Sequence, residues 1–340
     1  MGINEFLKTI LEWIYSFVGN YGWAVVLFTL LVRLIVMPFD YKSRVGMRKM
    51  QKIAPMQAKL QKKYEKDPDK MNKKLQELYR EQRVNSLSSC LPMLISLPIL
   101  FAMFTAMRMV ANEHLAQQAF DIIASGNPAL DSWLWVKNVW MPDSPFAAAW
   151  PNLDSLRQIA TNEWLAVFNK LPQETLALLA DKGLALTAES FAGDALNTTI
   201  QTIYTTMEQL PAYMEHVKYY SDLAIPLFNI HIFVNYNGYF ILPILAAGGQ
   251  FLMTKLTGTA QTPAADDAQA QQAQNSMKFM NYLFPIFTLI LCFNYNAIFA
   301  LYWVASNVIA IVQTKGINMY LDRKEALEAA NPNKNTGSLK

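Results

Sequence analysis

The sequence predicts an all-α membrane protein: a five-span helical bundle with a cytoplasmic helical hairpin and an external helical insertion. Three observations predict it. Charged residues make up 16% of the chain, against about 25% in a typical soluble protein. Residues 86–107, 223–254 and 279–314 contain no Asp, Glu, Lys or Arg; a hydrocarbon core of about 30 Å needs roughly 20 apolar residues, and a soluble core rarely needs several such uninterrupted runs. The segments between the runs differ in sign, with 14 basic against 5 acidic residues in 41–86 and 5 against 13 in 111–236.

The elements follow in order. Residues 1–20 read as an interfacial amphipathic helix, with Glu5, Lys8 and Glu12 opposite an apolar face and Gly19-Asn20 ending it. The first span is 21–40, with Pro38 and Asp40 marking its exit. Residues 41–86 read as a basic helical hairpin. Met47, Met50, Ile53, Met56, Leu60 and Tyr64 recur at helical spacing before the breaker Asp67-Pro68-Asp69, and Met71, Leu75 and Leu78 recur after it. Pro55 is expected to kink or restart the first arm. The second span is 87–110.

Residues 111–236 form an external segment with an inserted helical domain near 147–236, expected to be separable. Asp154 is expected to cap a helix running through Leu156, Ile159, Trp164, Val167 and Phe168. Gln173–Ala180 continues similarly, with Gly183 ending it, and residues 195–210 form a third helix. The third span is 237–256, followed by an Ala-, Gln- and Thr-rich linker at 257–277 expected to be mobile. Residues 278–317 hold the fourth and fifth spans: one helix over 36 uncharged residues would measure about 54 Å, so Asn294, Tyr295 and Asn296 supply a turn. The tail, 318–340, is polar and expected to lack fixed structure. Because basic loops stay in the cytoplasm, the N-terminus is expected outside and the C-terminus inside.

Arg33 lies within an apolar run. A charge at membrane depth costs about 2.5–3.5 kcal/mol on insertion scales, so it must face water or a partner, or snorkel the seven residues to Asp40, about 10 Å. The functional reading is a hydrated groove that holds a positive charge for polar or acidic segments crossing the membrane. Thr29, Ser96, Gln250, Thr254, Thr288, Ser306, Asn307 and Gln313 are further polar residues in the spans, each alone consistent with a helix–helix hydrogen bond. Tyr302 and Trp303 fit either interface anchors or groove walls. Arg33, Ser96, Gln250, Trp303 and Asn307 are the candidate groove residues, and Met50, Met56 and Met71 the candidate hairpin contacts, their adaptable side chains suiting varied apolar partners.

Other classes find little support. Cys90 and Cys292 both fall in apolar runs, and His114, His216 and His231 are scattered, so neither a disulfide framework nor a metal site is expected. No phosphate-cradling glycine loop and no catalytic cluster is visible, so neither an enzyme nor a cofactor is expected. Neither a cleavable leader nor a lipid-bearing cysteine is expected at the start. A small-solute transporter would also keep a charge in a span, but usually shows internal repeats, and none is seen.

Five ordered segments carry a resemblance to the YidC insertase family. The run YGWAVVLFTLLVRLIVMPF is similar to that family's arginine-bearing span, and NSLSSCLPMLISLPILFAMF, with Cys90-Leu91-Pro92 and Pro98, to its second core span. LWVKNVWMPDSPF resembles the external motif before the third span, ILPILAAGGQFLMTKL that span, and ALYWVASNVIAIVQ the last one. The resemblance covers roughly residues 13–146 and 237–320. Ser96 stands where the family commonly has glutamine, and Asn296 and Ile298 replace its usual proline and glycine. The family's short link is replaced by an insertion of about 90 residues. The resemblance implies a bacterial inner-membrane insertase and chaperone whose partners are nascent membrane proteins and membrane lipids, with the general secretion channel and the ribosome as further candidates, and no nucleic acid read directly. The tail's few basic residues, Arg323, Lys324, Lys334 and Lys340, are offset by Asp322, Glu325 and Glu328, which gives ribosome contact through the tail little support.

Overall fold

The computed structural model describes residues 2–82, 91–218, 220–225, 228–258 and 268–330. The chain divides into two compact units, residues 1–28, 101–247 and 288–304, and residues 29–100, 248–287 and 305–340. Helices dominate both. Among the described residues, Tyr21–Lys63 and the stretch Ala297–Leu327 are long and apolar enough to cross a membrane, and Ile241–Leu256 and Tyr282–Asn294 are shorter apolar helices.

In the first unit, α1 (Ile3–Val18) buries Leu11 and Ile14 and exposes Phe6, Trp13 and Phe17. Gly19 ends it at φ +67, a left-handed conformation that glycine adopts without a Cβ penalty. The unit is organised around α4 (Leu91–Ser125), which buries Met103, Met107, Val110, Phe120, Ile122 and Ile123. The helix expected as the second span therefore runs on well beyond Met107, because its later turns have a core to enter. Around them pack α5 (Leu153–Arg157), α6 (Thr161–Phe168), α7 (Gln173–Asp181), a 3₁₀ turn at Ala188–Phe191, α8 (Ala195–Glu208) and α9 (Pro211–Val217). Phe120 meets Trp164 edge-on at 5.6 Å, and Trp164 stacks on Phe191 at 5.7 Å. Buried Asn112 donates to Glu163 at 2.5 Å.

Several expectations for the insertion need correction. The single helix expected from Asp154 to Phe168 is two, α5 and α6. The cap is Asn152, whose side chain accepts from the Ser155 N–H; Asp154 sits inside the first turn. The break turns Trp164, fully buried, inward. Gly183 follows α7 at φ +81, as a terminating glycine should. The insertion shares a compact unit with α1 and with α4 from Phe101 on. It is not wholly helical: β1 (Tyr220–Ile225) and β2 (Phe228–Phe233) pair antiparallel, Tyr220 opposite Phe233. The alternating β-branched and aromatic residues of NIHIF suit a pleated strand better than a helix.

The segment 134–146 is the hub of this unit. Asn237, fully buried, accepts from the Asn138 N–H at 2.8 Å and donates to the carbonyls of Asn138, Met141 and Pro142. Asn138 donates in turn to Gln118 and to the Ala149 carbonyl. Asp143, 1% exposed, accepts from the N–H groups of Phe240 and Leu242, the latter at 2.7 Å, at the N-terminus of α10 (Ile241–Gly258). The first helical amides have no partner within their helix, and a carboxylate there also meets the positive end of the dipole. The Val139 and Met141 carbonyls take the first two amides of α12 (Ala297–Ala330), each at 2.9 Å. Asn296 accepts from the Phe299 N–H and so serves as a helix cap.

In the second unit, α2 (Tyr21–Lys63) runs through Pro38 and Pro55 without a break, so neither proline ends or restarts the helix. Each removes one amide donor, while Ser43, Ile53 and Ala54 on the intervening turns are buried and hold the helix in place. After the turn at 64–67, α3 (Pro68–Glu81) is capped by Asp67 and folds back. Leu78 is buried, and Gln57 donates to the Tyr79 hydroxyl at 2.6 Å. The linker is shorter than expected: α11 (Ala268–Asn294) begins within it, because Ala and Gln are good helix formers. The rest of the expected linker, 259–267, lies outside the described residues, as do Cys90 and the Ser96 side chain. The tail is also corrected, since α12 continues to Ala330.

Candidate functional site

The second unit places Arg33 half-buried on α2, beside apolar side chains that face outward: Leu30, Leu31, Leu34, Ile35 and Met37 are each 40–64% exposed. Large apolar faces of this kind fit lipid as the solvent. Arg33 turns away from them. Its Nε and Nη2 donate to the Ser306 hydroxyl of α12 at 3.2 and 2.5 Å. Two turns further along α12, Gln313 donates to the Arg33 carbonyl at 3.1 Å. The Gln313 Oε1 is buried with no hydrogen-bond partner among the described residues, an arrangement that costs about 1–3 kcal/mol. Among the described residues, no carboxylate forms an ion pair with Arg33. The guanidinium carries five donors, so one hydroxyl leaves most of its capacity for another acceptor.

Asn307 and Thr314 are buried on the same helix. A Cβ at Gly249 would lie 3.0 Å from the Asn307 Cβ, so glycine brings α10 close to α12 here. Gln250 is the next residue and is half-buried.

The structure thus brings Arg33 together with Ser306 and Gln313, and sets Asn307 against Gly249 beside Gln250. It places Trp303, 9% exposed, in the other unit, packed against Phe299 at 5.5 Å. Of the hairpin methionines, Met56 is exposed, and Met50 and Met71 are half-buried. Ser306 and Gln313 belong to the polar set read from the sequence but not to the candidate groove residues. Their spacing of seven, two helical turns on one face, was the signal that could have singled them out.

A second constellation joins α2 to α12 beyond the apolar run. Arg44 donates to Thr314, and Arg48 donates to the Asn318 carbonyl at 3.0 Å and pairs with Asp322 at 2.7 Å. Lys52 pairs with Glu325 at 3.2 Å. Arg44, Arg48 and Lys52 recur every four residues, as do Thr314, Asn318 and Asp322, so two straight stripes meet. This seam explains why the tail is helical.

The family described as 60Kd inner membrane protein matches this chain over residues 13–324. The chain belongs to that family. Its relatives in the 60Kd inner membrane protein family include the membrane protein insertase YidC of Wolinella succinogenes, 45% identical over 98 residues, which are 29% of this chain and 18% of that one. The membrane protein insertase YidC of Caldanaerobacter subterraneus subsp. tengcongensis is 43% identical over 106 residues, 31% of this chain and 52% of that one. The Pelobacter propionicus protein of the same name is 44% identical over 97 residues, 28% of this chain and 18% of that one. The match thus spans about half the length of one relative and under a fifth of the other two. Membership and the exposed apolar helices together make this a bacterial membrane protein.

Proposed function

We propose that this chain inserts and helps fold newly made membrane proteins through a hydrophilic intramembrane groove, without nucleotide hydrolysis. The observation that carries this reading is Arg33, half-buried in an apolar helix, which among the described residues has a single hydroxyl as its side-chain acceptor and an unsatisfied Gln313 oxygen on the same helix as that hydroxyl. Five spans, with the N-terminus outside and the C-terminus in the cytoplasm, would place these groups in a groove open to the cytoplasm and to lipid. Arg33 would hold a substrate's polar leading segment transiently, with Gln250, Asn307 and Ser96 lining the path and Trp303 a wall. The substrate's apolar helix would then partition into lipid, driven by roughly 25 cal/mol per Å² buried. The membrane potential would add about 2.3 kcal/mol per charge per 100 mV.

Nascent membrane proteins and lipids are the proposed partners, with the general secretion channel and the ribosome as candidates. Met50, Met56 and Met71 on the hairpin would meet incoming chains or targeting factors near the membrane surface. The 147–236 insertion would stabilise the outer end of α4 or dock a partner rather than take part in insertion.

Arg33→Leu should reduce insertion of a single-span substrate by tenfold or more, while Arg33→Lys keeps much of it, because the positive charge matters more here than a bidentate fork. Arg33→Cys, in a background lacking Cys90 and Cys292, should react with a membrane-impermeant thiol reagent added from the cytoplasmic side. A folded, unlabelled Arg33→Cys protein together with a fully active Arg33→Leu protein would remove the basis for the groove.

A further inference from the structure

The seam between α2 and α12 borders a cleft of about 440 Å³ lined by Tyr41, Lys42, Val45, Arg48, Lys49 and Lys52 of α2 and by Leu321, Lys324 and Glu325 of α12. Five of these nine side chains are cationic. The nearby carboxylates are already engaged: Asp322 holds Arg48, and Glu325 lies 3.7 Å from Arg48 and 3.2 Å from Lys52. Lys42, Lys49 and Lys324 are exposed and, among the described residues, form no ion pair. The cleft therefore keeps a net positive charge after its internal pairs are formed. Its floor is apolar, with Leu321 5% exposed and Tyr41 and Val45 half-buried.

Its place along the chain narrows the ligand. Lys42 follows the apolar run by three residues, and Lys52 lies ten residues beyond it in the same unbroken helix. At 1.5 Å per residue, the lining extends from about 5 to about 20 Å past Phe39. The headgroup layer on one side of a bilayer is roughly 5–8 Å deep, and a lysine side chain snorkels across several ångströms more. Tyr41, Lys42 and Val45 thus stand at headgroup depth, with Arg48, Lys49 and Lys52 above them. A soluble phosphate compound would meet the cations but has no use for an apolar wall at Tyr41, which stands seven residues, two turns on one helix face, from exposed Leu34.

We propose that this cleft binds the phosphodiester headgroup of an anionic phospholipid from the cytoplasmic leaflet. Lys42, Lys49 and Lys324 surround the phosphate, and the upper acyl chain runs from Tyr41 back toward the apolar stretch of α2. Such a lipid would brace the hairpin arm against the C-terminal helix at the membrane surface. The site rests on the orientation proposed above, in which α2 leaves the membrane on the cytoplasmic side, but not on any insertion activity.

The test uses the full chain in nanodiscs of phosphatidylcholine doped with phosphatidylglycerol, with retained lipids identified by native mass spectrometry. The unsubstituted protein should keep phosphatidylglycerol in preference to phosphatidylcholine. Lys42→Gln/Lys49→Gln/Lys324→Gln should lower that preference on the order of 100-fold, three cations having been removed from a headgroup surface. These residues take no part in the internal pairs, so folding should be unaffected. Glu325→Gln removes a lining carboxylate and should raise the preference.

Equal phosphatidylglycerol retention by the triple variant and the unsubstituted chain would overturn the site. Binding of soluble glycerophosphoglycerol as tightly as the lipid would overturn the lipid as its source, and displacement of the lipid by a polyglutamate peptide would reassign the cleft to acidic chains. Insertion is assayed in the same discs. Lost insertion with intact lipid preference would count against the groove reading, not against this one.

Discussion

The two units bury their polar groups in opposite ways. The unit containing residues 101–247 behaves like a water-soluble core. It encloses large aromatics, Trp140 and Trp164 among them, and uses fully bonded buried amides, Asn138 and Asn237, as internal fasteners. The unit containing residues 29–100 and 305–340 leaves Ile35, Phe279, Tyr282, Ile286 and Val312 more than half exposed and turns Ser306, Asn307 and Thr314 inward. Its charges sit on a partly exposed seam. The difference teaches that the solvent, more than composition, decides which side chains go inside: water drives the aromatics of one unit in, and lipid lets the other keep its apolar residues out.

The sharpest way to break the contrast is to treat an amide of the first unit as if it were surface. Asn237→Leu would leave the Asn138 N–H and the Pro142 carbonyl without their partner and strip a second donor from the Asn138 and Met141 carbonyls, each buried orphan costing about 1–3 kcal/mol. A loss on the order of 5 kcal/mol is expected, comparable with a whole domain's stability. Limited proteolysis in detergent should show the 101–247 region cut at temperatures where the unsubstituted chain resists.

A smaller effect is expected where packing, not bonding, is disturbed. A Cβ on Gly22 would lie 2.2 Å from the Trp133 ring, so Gly22→Ala should cost about 1–3 kcal/mol by overpacking. Trp133→Ala on the same background should recover part of that loss in the thermal midpoint. Failure of the double variant to improve on Gly22→Ala would show that the glycine serves something other than this contact.

The seam of the second unit should respond more weakly and in a salt-dependent way. Arg48→Glu meets Asp322 and Glu325 with like charge, and Asp322→Arg should compensate; partly exposed pairs contribute about 0.2–1 kcal/mol. The readout is protease protection of residues 318–330 at low and high salt. No loss in Arg48→Glu at low salt would mean that the apolar side chains alone hold the C-terminal helix.

The smallest effect is a pH slope in the first unit. Burial holds the His114 pKa below its ordinary value, with Asp131 at 3.2 Å opposing the shift. The folded state then binds this proton less readily than the unfolded chain. The contribution is fully present above the unfolded pKa of about 6.5, and is lost as pH falls through the folded value. The thermal midpoint should therefore drop between about pH 7.5 and pH 5.5, and His114→Gln should flatten that drop. An equally steep drop in the variant would assign it to other groups.

Much of this was legible in the sequence. The charge-free runs located α4, α10 and the apolar parts of α11 and α12, though the first third of 223–254 is strand, and the two asparagines around Tyr295 located the turn between α11 and α12. Arg33 stood out because a lone charge in an apolar run has few explanations. What stayed hidden were features that depend on distant neighbours. Pro38 and Pro55 are local breakers that packing overrode. The polar tail became a helix because its stripe meets that of α2, 270 residues away. The β-ribbon was missed because the weak alternation of a short strand competes with a strong helical background.

The sequence by itself determined the solvent each segment prefers, since hydropathy and charge are summed along the chain and need no partner. Only the tertiary structure decided which polar groups meet. Ser306 and Gln313 reach Arg33, and Asp143 reaches the α10 N-terminus across 99 residues, because a hydrogen bond depends on a few tenths of an ångström between atoms that the chain's order leaves far apart.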